Sequence, residues 1–172
     1  MTFVTGPAKV PPPVGVAVLR VETAAEMAAA VSAVLPVDAA VFVAAVADWR
    51  VVNAAGHKIK KQAGGLPVLE FAENPDILAT VSRMRSGRPG LVVGFAAETD
   101  DVLAHARAKR LRKGCDWIVA NDVSPGTGIM GGAENAVTLV TKEGEESWPR
   151  MGKDAVARQL AARIAAALGE GR

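Results

Sequence analysis

Lys58, Lys60 and Lys61, with His57 beside them, make a knot of positive charge that begins ten residues after Asp48. Asp48 itself ends an apolar run, VFVAAVA. A buried strand that delivers a carboxylate to its carboxyl end, followed by a lysine loop, is suited to a phosphorylated ligand. If the lysine segment is extended, Lys58 and Lys60 share one face while Ile59 and Lys61 share the other. A bare KxKK is also the composition of a solvated basic loop. Lys109 and Lys113 stand four apart, on one face of an expected helix, and could meet phosphates as well. Helix ends are often basic for dipole reasons alone.

Two further apolar runs end in polar residues: VVGFAA before Glu98 and Thr99, and IVA before Asn121 and Asp122. Open parallel sheets bind ligands outside the carboxyl ends of their strands, so Asp48, Glu98, Asn121 and Asp122 are expected to line one crevice. The alanines before them leave room for a ligand. Helix caps and turns also favour Asp, Asn and Thr, and that alternative stands beside the site reading. His57 and His105 have no second His or Cys at ligand spacing, so neither reads as a metal ligand. No GxxxxGK[ST] loop is present, and no GxGxxG opens the chain. Residues 125–132, PGTGIMGG, are expected to form a mobile lid.

The elements that must position these residues alternate between strand and helix. Strands are expected at 2–5, 16–21, 37–47, 66–71, 91–95 and 116–120. The run 37–47 has the pattern of a central strand covered on both faces. Thr23 and Glu26 form a capping box for a helix that ends near Leu35, before Pro36. Asn74 and Pro75 read as N-cap and first residue of a helix reaching about Arg85. Thr99 reads as the cap of a helix that carries Asp100 and Asp101 in its first turn, runs to Lys113 and stops at Gly114. A hairpin around Gly144 and an Ala-rich helix over 153–168 close the chain. The order predicts an α/β, Rossmann-like three-layer fold with a mainly parallel sheet, built as a single domain over 1–172.

The 172 residues suffice for a domain with a real core. A net charge of +2 is too small to argue for nucleic acid or a membrane surface. With aromatics at 4% and no Tyr, a stacking platform for single strands is not expected. No apolar run approaches the ~20 residues of a membrane span, and no signal peptide is evident, so the cytoplasm is the expected compartment. Cys115, the only cysteine, precedes an apolar run and reads as a buried, inert thiol.

AAVADW (44–49), KIKK (58–61), ENPDIL (73–78), VVGFAAET (92–99), AxxKRxRKGCDWIVANDVS (106–124) and Asn135 in ENAVTLV together resemble the phosphopantothenoylcysteine synthetase family. The opening FVTGPAKVPPP is similar to the family's VSGP segment. The resemblance implies ligation of 4′-phosphopantothenate to cysteine, with CTP and Mg²⁺, through an acyl-cytidylate. It implies a cytidine site at Phe42, Val43, Ala44 and Asp48, and nucleotide contacts from Pro75, Asp76, Ile77, Leu78 and Phe95. Triphosphate contacts would come from Lys58, Lys109 and Lys113, with Lys58 also catalytic. Asn121 would lie in the phosphopantothenate pocket with a catalytic role, and residues 62–66 would form a flap. The resemblance also implies a homodimer, joined partly through a short β segment near the flap. FMN would belong only to a fused decarboxylase domain, not to this chain. In the family, a strand and a glycine-rich turn bearing an asparagine precede the VSGP-like strand, and the present chain is expected to lack them. The alternative expectation is therefore an inactive nucleotide-binding and dimerisation fragment.

Overall fold

A computed structural model describes residues 1–8, 10–53 and 68–170. His57, Lys58, Lys60, Lys61 and the expected flap lie outside the described residues. The elements in chain order are β1 (Thr2–Thr5), β2 (Ala17–Arg20), α1 (Ala24–Val34), β3 (Ala39–Phe42), β4 (Trp49–Val51), β5 (Phe71–Glu73), α2 (Ile77–Ser82), β6 (Leu91–Glu98), α3 (Val102–Lys113), β7 (Trp117–Asp122), β8 (Glu134–Val140), β9 (Glu145–Gly152) and α4 (Lys153–Glu170). They divide between two compact units, Met1–Ala33 with Ala44–Asp76, and Val34–Val43 with Ile77–Arg172.

In the first unit, β1 and β2 pair in parallel. The capping box ahead of α1 forms as expected. The Glu26 N–H donates to Thr23 Oγ1 at 3.1 Å, and Glu26 Oε2 accepts from the Glu22 and Thr23 backbones. These bonds hold the Glu26 carboxyl below the usual carboxylate range. A separate antiparallel ladder joins β4 to β5, with Trp49 opposite Glu73 and Val51 opposite Phe71.

The second unit is a five-stranded sheet in the order β3-β6-β7-β8-β9. The first three strands run parallel, and β8 and β9 add an antiparallel hairpin. Side chains alternate across the sheet. Leu91, Val93, Val119, Val137, Leu139 and Trp148 share a core with Val156 and Leu160 of α4. Val92, Gly94, Ala96 and Ile118 point to the other face, where α2 and α3 pack. Helices on both faces of a parallel strand trio make this the expected three-layer α/β arrangement.

Several boundaries differ from the expectation. The strand predicted over 37–47 stops at Phe42, and residues 43–47 belong to no strand. That strand is terminal in the sheet among the described residues, and Val41 and Val43 are exposed. Asp48 therefore stands just before β4, not at the carboxyl end of a sheet strand. Of the strand expected over 66–71, residues 68–70 belong to no strand, and Phe71 opens β5, which pairs with β4. Thr99 does not cap α3. The residue before that helix is Asp101, in the left-handed region at φ 41°, without a side-chain cap, and the first turn of α3 holds no acidic residue. Gly114 terminates α3 as expected, at φ 76°, its N–H donating to the Arg110 carbonyl. Cys115 is buried, and burial pushes its thiol up.

The start of the sheet is fastened by Asp116. Its carboxylate accepts both bonds from one Arg88 nitrogen, at 2.9 and 3.0 Å, and the Val92 N–H at 2.7 Å. Asp116→Ala would leave that N–H unpaired beneath a residue with no exposed surface. A buried donor without a partner costs about 1–3 kcal/mol. Urea unfolding should show a loss of that order for Asp116→Ala and a smaller one for Asp116→Asn, which keeps an acceptor.

Candidate active site

In the first unit, the residues around Asp48 are shaped by Asn74. The Asn74 N–H donates to the Asp48 carbonyl at 2.8 Å, and its Nδ2 donates to the Ala47 carbonyl at 2.9 Å. The local sequence suits Asn74 to a helix N-cap, but α2 begins only at Ile77 and the amide bonds to Ala47 instead. Ala44, Asp48, Pro75 and Asp76 are all exposed around this junction. At the far end of the β4–β5 ladder, Asn53 makes a similar fork, donating to the Val68 carbonyl and accepting from the Glu70 N–H. No sequence pattern distinguishes these two asparagines from turn residues.

In the second unit, Phe42 ends β3 directly opposite Gly94. A Cβ on Gly94 would meet Leu78 Cδ2 at 2.7 Å and Ile118 Cδ1 at 2.9 Å, so Leu78 rests on bare backbone next to Phe42. Ile77 is buried. The side chains of Ile77 and Leu78 thus go to packing, which leaves backbone groups for any ligand there. Phe95 lies on the opposite face, against the core shared with α4. Phe42 and Leu78 are therefore brought together, and Phe95 is separated from them by the sheet.

Glu98 and Asp122 are register partners at the ends of β6 and β7, and Ala97 is opposite Asn121. These residues therefore share one edge of the sheet. A groove of about 390 Å³ borders Asn121 and Asp122, walled by Val102 and Leu103 of α3 and by Ala136 and Thr138 of β8. Asp122 also closes the following turn, accepting the Ser124 N–H at 2.8 Å. The Ser124 hydroxyl and N–H hold its carboxyl below the usual range. Glu98 Oε2 lies 3.7 Å from His105 Nδ1 on α3. Near Asn121, Asn135 Oδ1 and Trp148 Nε1 are buried with no hydrogen-bond partner among the described residues. A buried donor and acceptor in that condition call for a water or a ligand group.

The glycine-rich stretch expected to be a mobile lid is folded into turns. Ile129 is buried, and Arg150 donates to the Thr127 carbonyl at 2.9 Å while its Nε pairs with Glu134. Swinging this segment open would cost those contacts. Lys109 and Lys113 are half-buried on the last two turns of α3. Because α3 starts where β6 ends and finishes where β7 begins, these lysines stand at the opposite end of the helix from Glu98. A hollow of about 300 Å³ near that end is lined by Arg107, Arg110 and the β8–β9 turn, with Arg107 paired to Glu145. No cluster of three or more His, Cys, Asp or Glu suited to a metal ion occurs among the described residues.

The family model for the DNA/pantothenate metabolism flavoprotein C-terminal domain matches residues 1–168. The chain belongs to this family. Coenzyme A biosynthesis bifunctional protein CoaBC of Vibrio cholerae is 43% identical over 160 residues, covering 91% of this chain and 40% of the relative. The Escherichia coli K12 protein of the same name is 42% identical over 163 residues, with 93% and 40% covered. The chain thus spans about two fifths of the length of these curated relatives. Among solved structures, the C-terminal domain of a CoaBC protein superposes with a TM-score of 0.76 at 32% identity, covering 98% of this chain and 74% of that one. A Streptococcus pneumoniae flavoprotein of the same description shares the fold at 17% identity, with a TM-score of 0.73, 96% of this chain and 80% of that one covered. None of the described helices is long and apolar enough to cross a membrane.

The close approach at Gly94 can be tested by filling it. Gly94→Val should destabilise the chain by about 1–3 kcal/mol through overpacking. Adding Leu78→Ala should recover part of that loss, which a double-mutant cycle in urea would read directly. Additive losses would contradict the described contact.

Proposed function

We propose that this chain is a phosphopantothenate–cysteine ligase domain acting in coenzyme A biosynthesis, using CTP to activate the carboxylate. The observation that carries the reading is the match, over nearly the whole chain, to the C-terminal domain of CoaBC proteins. A Cab2 variant that shares the fold, at 16% identity and a TM-score of 0.64, covering 91% of this chain and 55% of that one, was solved with phosphopantothenate-cysteine. In this reading the phosphopantothenate carboxylate attacks the α-phosphate of CTP, and pyrophosphate leaves. The cysteine amine then displaces CMP from the acyl-cytidylate to form the amide.

Protein groups contribute by holding charge and excluding water more than by covalent chemistry. Ala44 and Asp48, with Phe42 and Val43, would hold the cytidine, and Pro75 to Leu78 would make further nucleotide contacts. Lys58, Lys109 and Lys113 would balance the triphosphate. Asn121, beside the groove at the end of β7, would orient phosphopantothenate. Magnesium usually arrives on nucleotide phosphates with few protein ligands.

Calorimetry with CTP, ATP and NAD, each with Mg²⁺, tests this. CTP should bind more tightly than ATP, because a site that reads the cytosine edge leaves purine groups unpaired. Equal affinities would sink the specificity. Binding of CTP without pyrophosphate release in the presence of phosphopantothenate would select the inactive nucleotide-binding alternative. Lys58→Gln should lower CTP affinity roughly tenfold to a hundredfold, the worth of a charged hydrogen bond. An equal response from the control Arg85→Gln would remove Lys58 from the site.

The same reading includes a homodimer. Support comes from the β4–β5 ladder and its flank, where Trp49, Val68, Leu69 and Phe71 are 59%, 82%, 50% and 63% exposed. Apolar side chains gathered on one short ladder mark an interaction surface. Light scattering at micromolar concentration should give twice the chain mass, and Phe71→Glu should reduce it to the monomer. A monomer in the unaltered chain would count against the assembly.

A further inference from the structure

We infer that Asn74 is a positioning residue for the nucleotide, fixing the Ala47–Asp48 segment to the stretch that leads into α2. The inference rests on the ligase reading above, which places nucleotide contacts at Ala44, Asp48, Pro75 and Asp76. Regular pairing between β4 and β5 ends at Trp49 and Glu73. One residue further, Asn74 satisfies two consecutive carbonyls, Asp48 through its main-chain N–H and Ala47 through its side-chain amide. The Arg50 guanidinium adds a bond to the Glu73 carbonyl on the same ladder. Residues 44–47 belong to no helix or strand. Segments with few backbone bonds open locally at low cost, so two cross-chain bonds at their end matter disproportionately. A segment already ordered before a ligand arrives saves the ordering cost on binding.

The chemistry of the side chain is specific. The clamp needs a donor of this length opposite the Ala47 carbonyl. Aspartate has the shape but no donor, and places a negative charge against an acceptor. Alanine removes the group. Both substitutions keep the main-chain bond to Asp48, so the ladder itself should persist.

The test uses the full chain with Asn74→Ala and Asn74→Asp. CTP with Mg²⁺ is titrated by calorimetry, thermal unfolding is recorded, and hydrogen exchange is followed over residues 44–49. Both variants should bind CTP about fivefold to tenfold more weakly, as expected for one lost neutral hydrogen bond plus ordering. Exchange over 44–49 should quicken while the thermal midpoint holds. Unchanged CTP affinity in both variants would overturn the role of Asn74 and leave the ligase reading intact. A loss that follows a general fall in the thermal midpoint would make Asn74 merely structural and also overturn it. Failure of the unaltered chain to bind CTP would overturn the ligase reading, and with it the nucleotide role.

Discussion

The sheet of the larger unit is organised around an absent side chain. Gly94 lies in β6, between the parallel partners β3 and β7, and the space a Cβ would need is taken by Leu78 and Ile118. Interiors are packed to crystal-like density, so such a close approach fixes the depth of α2 on the sheet. Ala96 and Ala106 continue the theme on the same side, both with no exposed surface. The layer under α2 and α3 is consequently thin, and Leu78 lies over Gly94, the register partner of Phe42 at the end of β3. The other layer is thick, with Leu139, Trp148 and Leu160 filling the space under α4. Phe95, one residue from Gly94, points by strand alternation into that thicker layer.

The smaller unit depends on polar fastening. Its ladder of three residue pairs is short, and an isolated two-stranded ladder is marginal in water. Asn53 at one end and Asn74 at the other extend the pairing by side-chain bonds. Few apolar side chains are withdrawn from solvent there, since Trp49, Val52, Leu69 and Phe71 remain at least half exposed. A surface of that kind is stabilised further only when something covers it, which links the hydrogen-bonded ladder to the proposed assembly.

The legible parts of the chain were those governed by local chemistry. Thr23 and Glu26 satisfy one another within four residues, and Gly114 needs only a left-handed backbone, so both were readable from sequence. The hairpin at Gly144 follows the same logic, with Thr141 and Gly144 closing it. The misreadings share a different cause. Residues 39–47 are apolar throughout, but hydrophobicity alone cannot distinguish a covered strand from a loop in which Val43 is exposed. Asn74 and Pro75 carry the local signature of a helix start, yet a bond to Ala47, 27 residues away, competed for the amide. Thr99 lost its capping role because the chain turns through Asp101 in a conformation the sequence does not advertise. At the site, strand ends with matching register were foreseeable for Glu98, Asn121 and Asp122. The division of Phe42 and Phe95 between two faces was not, because it depends on the register that sets Phe42 opposite Gly94.

The charges of α3 show how far electrostatics can discriminate between roles. The helix holds Arg107, Lys109, Arg110, Arg112 and Lys113 and no acidic residue. The dipole favours cations only within the final turn, which accounts for Arg110, Arg112 and Lys113 without any ligand. Arg107, upstream of that turn, is explained by Glu145. Lys109 also lies upstream, so the dipole argument is weakest for it and the phosphate argument strongest. Its α-carbon is about 10 Å along the axis from Val102, at 1.5 Å per residue. A ligand that meets both Lys109 and the end of β6 must therefore extend along the helix. A lone phosphate cannot span that distance.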